Sequence, residues 1–423
     1  MQGKSGAKNI ERMEEIVPDL DYQNVQQFIS DSPWDHRPLM DEIARQADGV
    51  LGASSRTRLV IDESYFAKKG RHSVGVARQY NGRMGKVDNS QVAVFSSLAA
   101  GQQSTLVDAR LYLPKEWTED PKRCEKAGVP QAFQNHKTKG QLALESVIHS
   151  RELGLRFDCV SFDSGYGSQT WLLFELDTLE EVFVGEVHCN QKVWTECPWL
   201  HNEGKRPGTK LKNARPSSEP IQVDRWAEEQ PEDAWQRLKV RDSDQGWVEV
   251  SYLAERIWVT HEGQERPFWL LVWENPDEPQ GRRHYALSNA PASADERRLV
   301  ADGVERNVVE RNFRDAKSEV GLADYQVRGW LGWHHHVSLV MLGMLFLMKE
   351  KLLYVPPKDT PELTAGDIVF VLERLLPRRG SSKGEVFEML ETRRLKREHD
   401  QRRRREKTAR ERPPLLPDEM VPK

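Results

Sequence analysis

The pattern of apolar and polar positions predicts an alternating order of strands and helices in the first half of the chain. Residues 10–50 have the apolar spacing of helices, and short β-branched runs follow between residues 58 and 114. An amphipathic helix over 138–154 is followed by strand-like runs at 157–167 and 181–189, with a helical stretch between them. This order predicts a mixed α/β unit.

The composition of the sequence changes after residue 190. Residues 190–292 are rich in Pro, Trp and charge, contain four strand-like runs, and hold eight of the thirteen tryptophans. Helical periodicity returns at Ala294 and includes a strongly apolar helix over 333–353. We therefore predict four parts: an N-terminal helical region (1–54), an α/β core (55–190 and 293–355), a β-rich insertion (191–292), and C-terminal helices with a basic tail (356–423).

Composition narrows the classes of function. Hydrophobic residues make up 38% and charged residues 30% of the chain, and no run approaches the ~18 apolar residues that span a membrane. Four cysteines without a CxxC pair fit a reducing cytosol better than a disulfide or zinc framework. We expect a cytoplasmic protein with no membrane contact. The chain begins abruptly in helical sequence, which suggests that an upstream part is missing.

The net charge of −4 conceals a basic segment near the C-terminus. Residues 393–412 carry eleven Lys or Arg and four Asp or Glu, a local charge of +7, so the rest of the chain carries −11. Such a helix lowers its free energy beside DNA phosphates through counterion release. A solvated helix with no ligand is the alternative. We favour contact with DNA.

Two aspartates follow buried strand-like runs. Asp62 ends the run RLVID, and Asp163 ends CVSFD just before a Gly-rich turn. Each could by itself be an ordinary turn residue, but open α/β sheets place their sites at the carboxyl ends of strands. Two carboxylates brought together there repel each other unless a cation joins them, and hard oxygen ligands suit Mg²⁺ or Mn²⁺.

A third carboxylate is predicted on a helix over 295–320. Glu310 follows Arg306 by four residues and precedes Lys317 by seven, which puts all three on one helical face. A metal ligand would then be flanked by cations that bind phosphate, although a solvated helix with ion pairs is the commoner use of such charges. Three other carboxylates of the same stretch compete on composition alone: Glu305, Asp315 and Glu319.

Several segments resemble the DDE transposases of bacterial insertion sequences, of the insertion sequence 701 type. They are QQFISDSPWDH, LVIDESYFAKKGRHSVGVARQYNGRMGKVDNSQVAVF, LYLPKEWTEDPKRCEKAGVP, FDSGYG and VERNFRDAKSEVGLADYQVRGWLGWHHHVSL, within residues 8–375. The resemblance implies an RNase H-like mixed sheet core, interrupted by a β-rich insertion and flanked by helices. It also implies that Asp62, Asp163 and Glu310 are the catalytic, metal-binding acids.

The resemblance further implies metal-dependent cleavage of DNA ends followed by strand transfer. Mg²⁺, or Mn²⁺ in its place, would be the cofactor. Transposon ends and target DNA would be the partners of a homodimer in the synaptic complex, bound to the nucleoid of a bacterial cytoplasm. A metal-dependent nuclease without strand transfer and a non-catalytic DNA-binding relic remain alternatives.

Six cations are candidate DNA contacts. The superfamily pattern Tyr-x2-Arg-x3-Glu-x6-Lys matches Arg306, Glu310 and Lys317, but Gly303 stands where the pattern has Tyr. The other candidates are Lys68, Lys69 and Arg71, which we place in or after a first hairpin, and Lys210 of the insertion. The tryptophans of the insertion could stack on an unpaired base, but most are expected in the sheet core.

Overall fold

The computed structural model describes residues 17–376 apart from 53, 55, 82–84, 199–217, 244–245, 275–281 and 355–362, together with residues 13, 384, 387, 391, 394, 395 and 402. Lys210 and most of the basic run 393–412 therefore lie outside the described residues. None of the helices in the described part is long and apolar enough to cross a membrane.

Twelve helices are described, and they fall before, within and after the strands. They are α1 Tyr22–Ser30, α2 His36–Leu51, α3 Lys115–Thr118, α4 Pro121–Lys126, α5 Lys139–Glu152, α6 Ser164–Gly167, α7 Thr170–Thr178, α8 Val223–Glu228, α9 Glu296–Val304, α10 Val308–Ser318, α11 Trp330–Leu353 and α12 Ala365–Leu375.

Twelve strands are described, and ten of them form one mixed sheet. They are β1 Thr57–Ala67, β2 Ala77–Asn81, β3 Lys86–Ala100, β4 Gln103–Leu111, β5 Cys159–Phe162, β6 Phe183–Glu186, β7 Lys192–Val193, β8 Ile221–Gln222, β9 Gln236–Ser243, β10 Gly246–His261, β11 Gln264–Glu274 and β12 Arg283–Ser288.

The large sheet has the order β2-β3-β1-β5-β6-β12-β11-β10-β9, and β4 also pairs with β3. Strands β1, β5 and β6 are parallel neighbours, whereas β3 runs antiparallel to β1 and to β4. Helices flank this mixed sheet, so the α/β fold class predicted from the order of elements is confirmed.

The β-rich segment predicted as an insertion continues the core sheet. Strand β12 pairs antiparallel with β6 through Ala286↔Glu186 and Leu287↔Gly185, and β11, β10 and β9 follow outward. The backbone hydrogen bonds of β6 therefore join the segment directly to the core. Its boundaries as a domain stay a prediction.

Three local predictions were wrong. Strand β1 runs five residues past Asp62, so that residue lies within the strand and not at its end. Lys68 and its neighbours do not lie in a hairpin, because β1 and β2 pair with opposite edges of β3 around Ser90. The helix expected over 295–320 is divided by a 3-10 turn at Glu305–Asn307.

The 3-10 turn lets adjacent side chains enter different surroundings. Glu305 turns into the core, where its carboxylate lies 2.5 Å from the guanidinium of the fully buried Arg58. Arg306 turns instead toward the edge of the sheet. Adjacent side chains in a 3-10 turn point about 120° apart, compared with about 100° in an α-helix.

Three consecutive histidines, His334, His335 and His336, lie in the second turn of α11. His334 and His335 are buried. The ring nitrogens of His335 lie 2.9 Å from the Ile29 carbonyl oxygen and 2.7 Å from that of Trp34. His335 therefore links α11 to the connection between α1 and α2.

Candidate active site

A cavity of about 750 Å³ brings together the three acids that the sequence spreads over 249 positions. Strand β1, the end of β5 and helix α10 form its walls. The lining residues are Asp62, Glu63, Ser64, Tyr65, Asp163, Glu310, Phe313, Arg314, Lys317 and Ser318. The strands thus contribute acidic side chains, whereas α10 contributes Glu310 together with the cations Arg314 and Lys317.

Asp62 lies where the parallel pairing of β1 ends. The register with β5 stops at Ile61↔Phe162, although β1 itself continues beside β3. Past that point no described strand pairs with β1 on the side of β5, and the cavity lies beside Asp62 there. Burial, reinforced by the negative charge of Asp163, raises the pKa of Asp62 to about 8.

Asp163 follows β5 directly and caps the short helix α6. Its carboxylate accepts a hydrogen bond of 2.9 Å from the backbone N–H of Gly165. Burial and the charge of Glu63 raise the pKa of Asp163. Close packing holds this turn in place, because a Cβ on Gly167 would lie only 1.9 Å from the Glu186 carbonyl oxygen.

Glu310 lies in the first turn of α10, and its side chain is exposed to the cavity. The competing carboxylates do not line this cavity. Glu305 is paired with Arg58 in the core, and Glu319 lies near Gly366 at the start of α12. The geometry therefore favours Glu310 among the helix acids, while its role stays a prediction.

Arg306 is engaged with carboxylates at the edge of the sheet. Its Nε donates a hydrogen bond of 2.9 Å to Glu186, and its Nη1 lies 3.8 Å from an Asp62 carboxylate oxygen. The carboxylates around it keep the pKa of Arg306 above its ordinary value. The positive charge predicted to contact DNA is thus partly used to balance the acids of the site.

Glu186 and Lys139 belong to the site, and the sequence reasoning missed them. Glu186 ends β6, the parallel strand next to β5, so the strand-end rule that selected Asp163 would also have found it. Lys139 contacts Glu63 at 2.8 Å and, with other partners, holds the pKa of Glu63 below its ordinary value despite burial. Nothing local to Lys139 indicates this pairing.

The remaining predicted DNA contacts lie at three places. Lys317 lines the acid cavity, and its Nζ lies 5.5 Å from the centre of the Phe66 ring. Lys68 and Lys69 line a second, basic cavity. Arg71 is exposed beside that cavity, and Lys210 lies outside the described residues. All of these remain predicted contacts.

The tryptophans of the insertion pack mainly into the sheet core. Four of them are less than a tenth exposed: Trp194, Trp226, Trp269 and Trp273. Trp273 stacks on His284 with ring centroids 5.3 Å apart. A buried, stacked ring of this kind cannot also receive a base, so these four side chains serve the core.

The donor atoms of the cavity suit a hard divalent cation. Among the described residues, no three acidic, histidine or cysteine side chains converge closely enough to hold a metal ion as they stand. Asp62, Asp163 and Glu310 nevertheless share one cavity and offer only carboxylate oxygens. Mutual repulsion of Asp62 and Asp163 is the physical signature of a site that a cation would stabilise.

Comparison with known proteins agrees with this arrangement. A family model described as "DDE superfamily endonuclease" matches residues 1–246, which is more than half of the chain. The "Probable transposase for insertion sequence element IS701" of Microchaete diplosiphon is 29% identical over 188 residues. That match covers 44% of this chain and 46% of the relative, so the chain spans about half the length of the curated relative that it matches. The chain belongs to the DDE superfamily endonuclease family.

Proposed function

We propose that the protein is a DDE transposase that cleaves the ends of a DNA element and joins them to target DNA. The observation that carries the proposal is the meeting of Asp62, Asp163 and Glu310 around one cavity. Membership of the family supports a divalent metal cofactor, and we propose Mg²⁺, with Mn²⁺ able to replace it. The name of the relative supports transposition as the reaction.

Asp62, Asp163 and Glu310 are the residues proposed to hold the metal. Two divalent ions in such a cage would activate the attacking oxygen and stabilise the leaving oxygen at phosphorus. Arg314 and Lys317, which line the same cavity, would bind the phosphates that flank the scissile bond. The acids thus serve the reacting phosphate, and the cations orient the strand.

Two displacements at phosphorus make up the proposed reaction. Water attacks the phosphodiester at the element's end, the P–O3′ bond breaks, and the element's strand leaves with a free 3′-hydroxyl. That hydroxyl then attacks a phosphodiester of the target, forming a new P–O bond as the target's own 3′-oxygen leaves. We propose that two copies of the chain pair two DNA ends in the bacterial cytoplasm.

A strand-transfer assay tests the function. Purified protein is incubated with Mn²⁺, a duplex that carries a free 3′-hydroxyl, and a supercoiled plasmid as target. The sequence of this duplex is taken from the genomic DNA on either side of the gene. We expect joined products from the wild type. Asp163→Asn should reduce joining by at least ~100-fold, because loss of a metal ligand removes much of the stabilisation of the transition state.

The outcomes of this assay distinguish a transposase from a nuclease and from a non-catalytic DNA-binding relic. Cleavage without joined products would mean a nuclease and would overturn strand transfer. Binding without cleavage in the wild type would mean a DNA-binding relic. Ser318→Ala is the matched control, because Ser318 lines the cavity but is not one of the proposed ligands. Equal losses in Ser318→Ala and Asp163→Asn would contradict the assigned role of the acid.

A further inference from the structure

A second cavity, of about 330 Å³, lies where the connection from β1 to β2 meets the segment before α11. We call it the basic pocket. Its lining residues are Lys68, Lys69, Gly70, His72, Ser73, Tyr325, Gln326 and Arg328. Three of these, Lys68, Lys69 and Arg328, carry a basic side chain, and none carries a carboxylate. The chemistry of the lining therefore selects for an anion.

Lys68 is the most constrained cation of the basic pocket. Its ammonium lies 3.4 Å from the centre of the Tyr325 ring, and burial lowers the pKa of Lys68 to about 8. Burial is the cause of this shift, and no carboxylate of the described residues contributes to it. A partly desolvated ammonium gains free energy when an anion enters beside it.

Hydrogen bonds hold both walls of the basic pocket. The Asn89 side-chain amide donates to the carbonyl oxygens of Lys68 and Gly70 at 2.6 and 2.9 Å. On the other wall, the Tyr325 hydroxyl donates to Gln91, and the Val74 N–H donates to the Arg328 carbonyl oxygen. The pocket is thus built before any ligand arrives, which lowers the entropic cost of binding.

Aromatic contacts connect the basic pocket to the acid cavity. The Tyr325 ring lies against Phe66, with centroids 5.7 Å apart, and the ammonium of Lys317, which lines the acid cavity, lies 5.5 Å from the centre of the Phe66 ring. Phe66 is four residues beyond Asp62 on β1. At ~3.3 Å per residue, the Cα atoms of Lys68 and Asp62 lie at most about 20 Å apart. That upper limit corresponds to about six base pairs of duplex DNA.

We propose that the basic pocket binds a backbone phosphate of the DNA, within about six base pairs of the phosphate that reacts. Lys68 and Arg328 would contact the phosphate oxygens from the two walls. This inference rests on the proposed function, because it takes DNA as the substrate of the acid cavity. The bound phosphate would fix the register of the duplex, so that the reacting phosphate reaches Asp62 and Asp163.

Binding to duplex DNA of arbitrary sequence, in EDTA and over a range of salt concentrations, tests the proposal. Lys68→Gln and Arg328→Gln should each weaken binding several-fold. Each should also reduce the slope of log K against log salt by ~0.9, the value for one lost phosphate contact. Arg328 is exposed, so its variant retains the fold even if replacement of Lys68 disturbs it.

Lys239→Gln is the matched control. Lys239 is exposed on β9, at the opposite edge of the ten-stranded sheet, and its replacement removes the same charge. The proposal that the basic pocket binds a phosphate would be contradicted if all three variants changed the slope equally: Lys68→Gln, Arg328→Gln and Lys239→Gln. Asp163→Asn should retain binding. If the wild type binds through the pocket but joins no DNA, the proposed function fails while the pocket stands.

Discussion

Two adjacent acids of β1 show how far the state of a residue depends on its partners. Glu63 contacts Lys139 at 2.8 Å, and its pKa is held below its ordinary value. Asp62 has Arg306 only at 3.8 Å, faces the charge of Asp163, and has a raised pKa. The ionised form of Asp62 therefore lacks a close cation in the protein, and a bound metal cation would favour that form.

The raised pKa of Asp62 predicts a stability that falls with increasing pH. Without metal, the folded state keeps the Asp62 proton up to about pH 8, whereas the unfolded chain releases it near pH 4. The free energy of unfolding should therefore decrease between about pH 5 and pH 8 because of this residue. The amide of Asp62→Asn has no such proton, so the free energy of unfolding of this variant does not decrease for this reason. The difference in free energy of unfolding between Asp62→Asn and the wild type, measured by urea denaturation, should therefore grow with pH.

Asp367→Asn provides the matched control for this prediction. Hydrogen bonds from the backbone N–H and the hydroxyl of Thr364 lower the pKa of Asp367, so its contribution is already complete above the pKa of the unfolded chain. The stability difference between Asp367→Asn and the wild type should then be constant over the same pH range. A constant difference for Asp62→Asn as well would contradict the raised pKa.

At the scale of elements, the packing of α9 against β11 explains a departure from the superfamily pattern. Gly303 stands where that pattern has Tyr, and a Cβ added there would lie 2.8 Å from the Trp273 ring. Trp273 comes from β11 of the β-rich segment and is buried. The ring therefore fills the space that a larger side chain at position 303 would need.

Gly303→Ala should lower the free energy of unfolding by about 1–2 kcal/mol. Overpacking against Trp273 costs ~1–3 kcal/mol, and the better helix propensity of Ala returns up to ~1 kcal/mol. Urea denaturation measures the change.

Gly49→Ala is the control, since Gly49 lies in helix α2 with nothing within 4 Å of an added Cβ. That variant should be stabilised by up to ~1 kcal/mol. A stabilised Gly303→Ala would show that the Trp273 ring moves aside without cost.

At the scale of the whole molecule, the β-rich segment reaches the acid cavity through a chain of charged contacts. His284 of β12 lies 3.8 Å from Glu186, and Glu186 accepts a hydrogen bond of 2.9 Å from Arg306, which lies beside Asp62. The sheet pairing of β12 with β6 sets the first of these contacts. The segment thus helps to position a cation at the proposed metal ligands.

A double-mutant cycle on Glu186→Gln and Arg306→Gln measures the coupling free energy between these two side chains. Both side chains are largely buried, at 18% and 12% exposure, so we expect a coupling free energy of about 1–3 kcal/mol in urea denaturation. The exposed pair Arg237–Glu249 on β9 and β10 is the control and should couple by less than ~0.5 kcal/mol. Additive effects at Glu186 and Arg306 would mean that the pair does not position the cation.

Much of the fold follows from local patterns in the sequence. Alternation and β-branched runs located β1, β3, β4 and β5, because strand formation depends on side chains that are near one another in the chain. The same patterns did not show that β1 continues past Asp62. That continuation depends on pairing with β3, whose residues lie about 30 positions away.

The sequence by itself determined the α/β class and the acids that the cavity unites, Asp62, Asp163 and Glu310. Asp62 and Asp163 each follow an apolar run that is visible in the local sequence, whereas Glu310 was chosen with the help of the family resemblance. Only the tertiary structure decided the charge balance of the site. The partners of Asp62 and Glu63 come from Arg306 and Lys139, far along the chain, and a Coulombic interaction depends on distance in space and on burial.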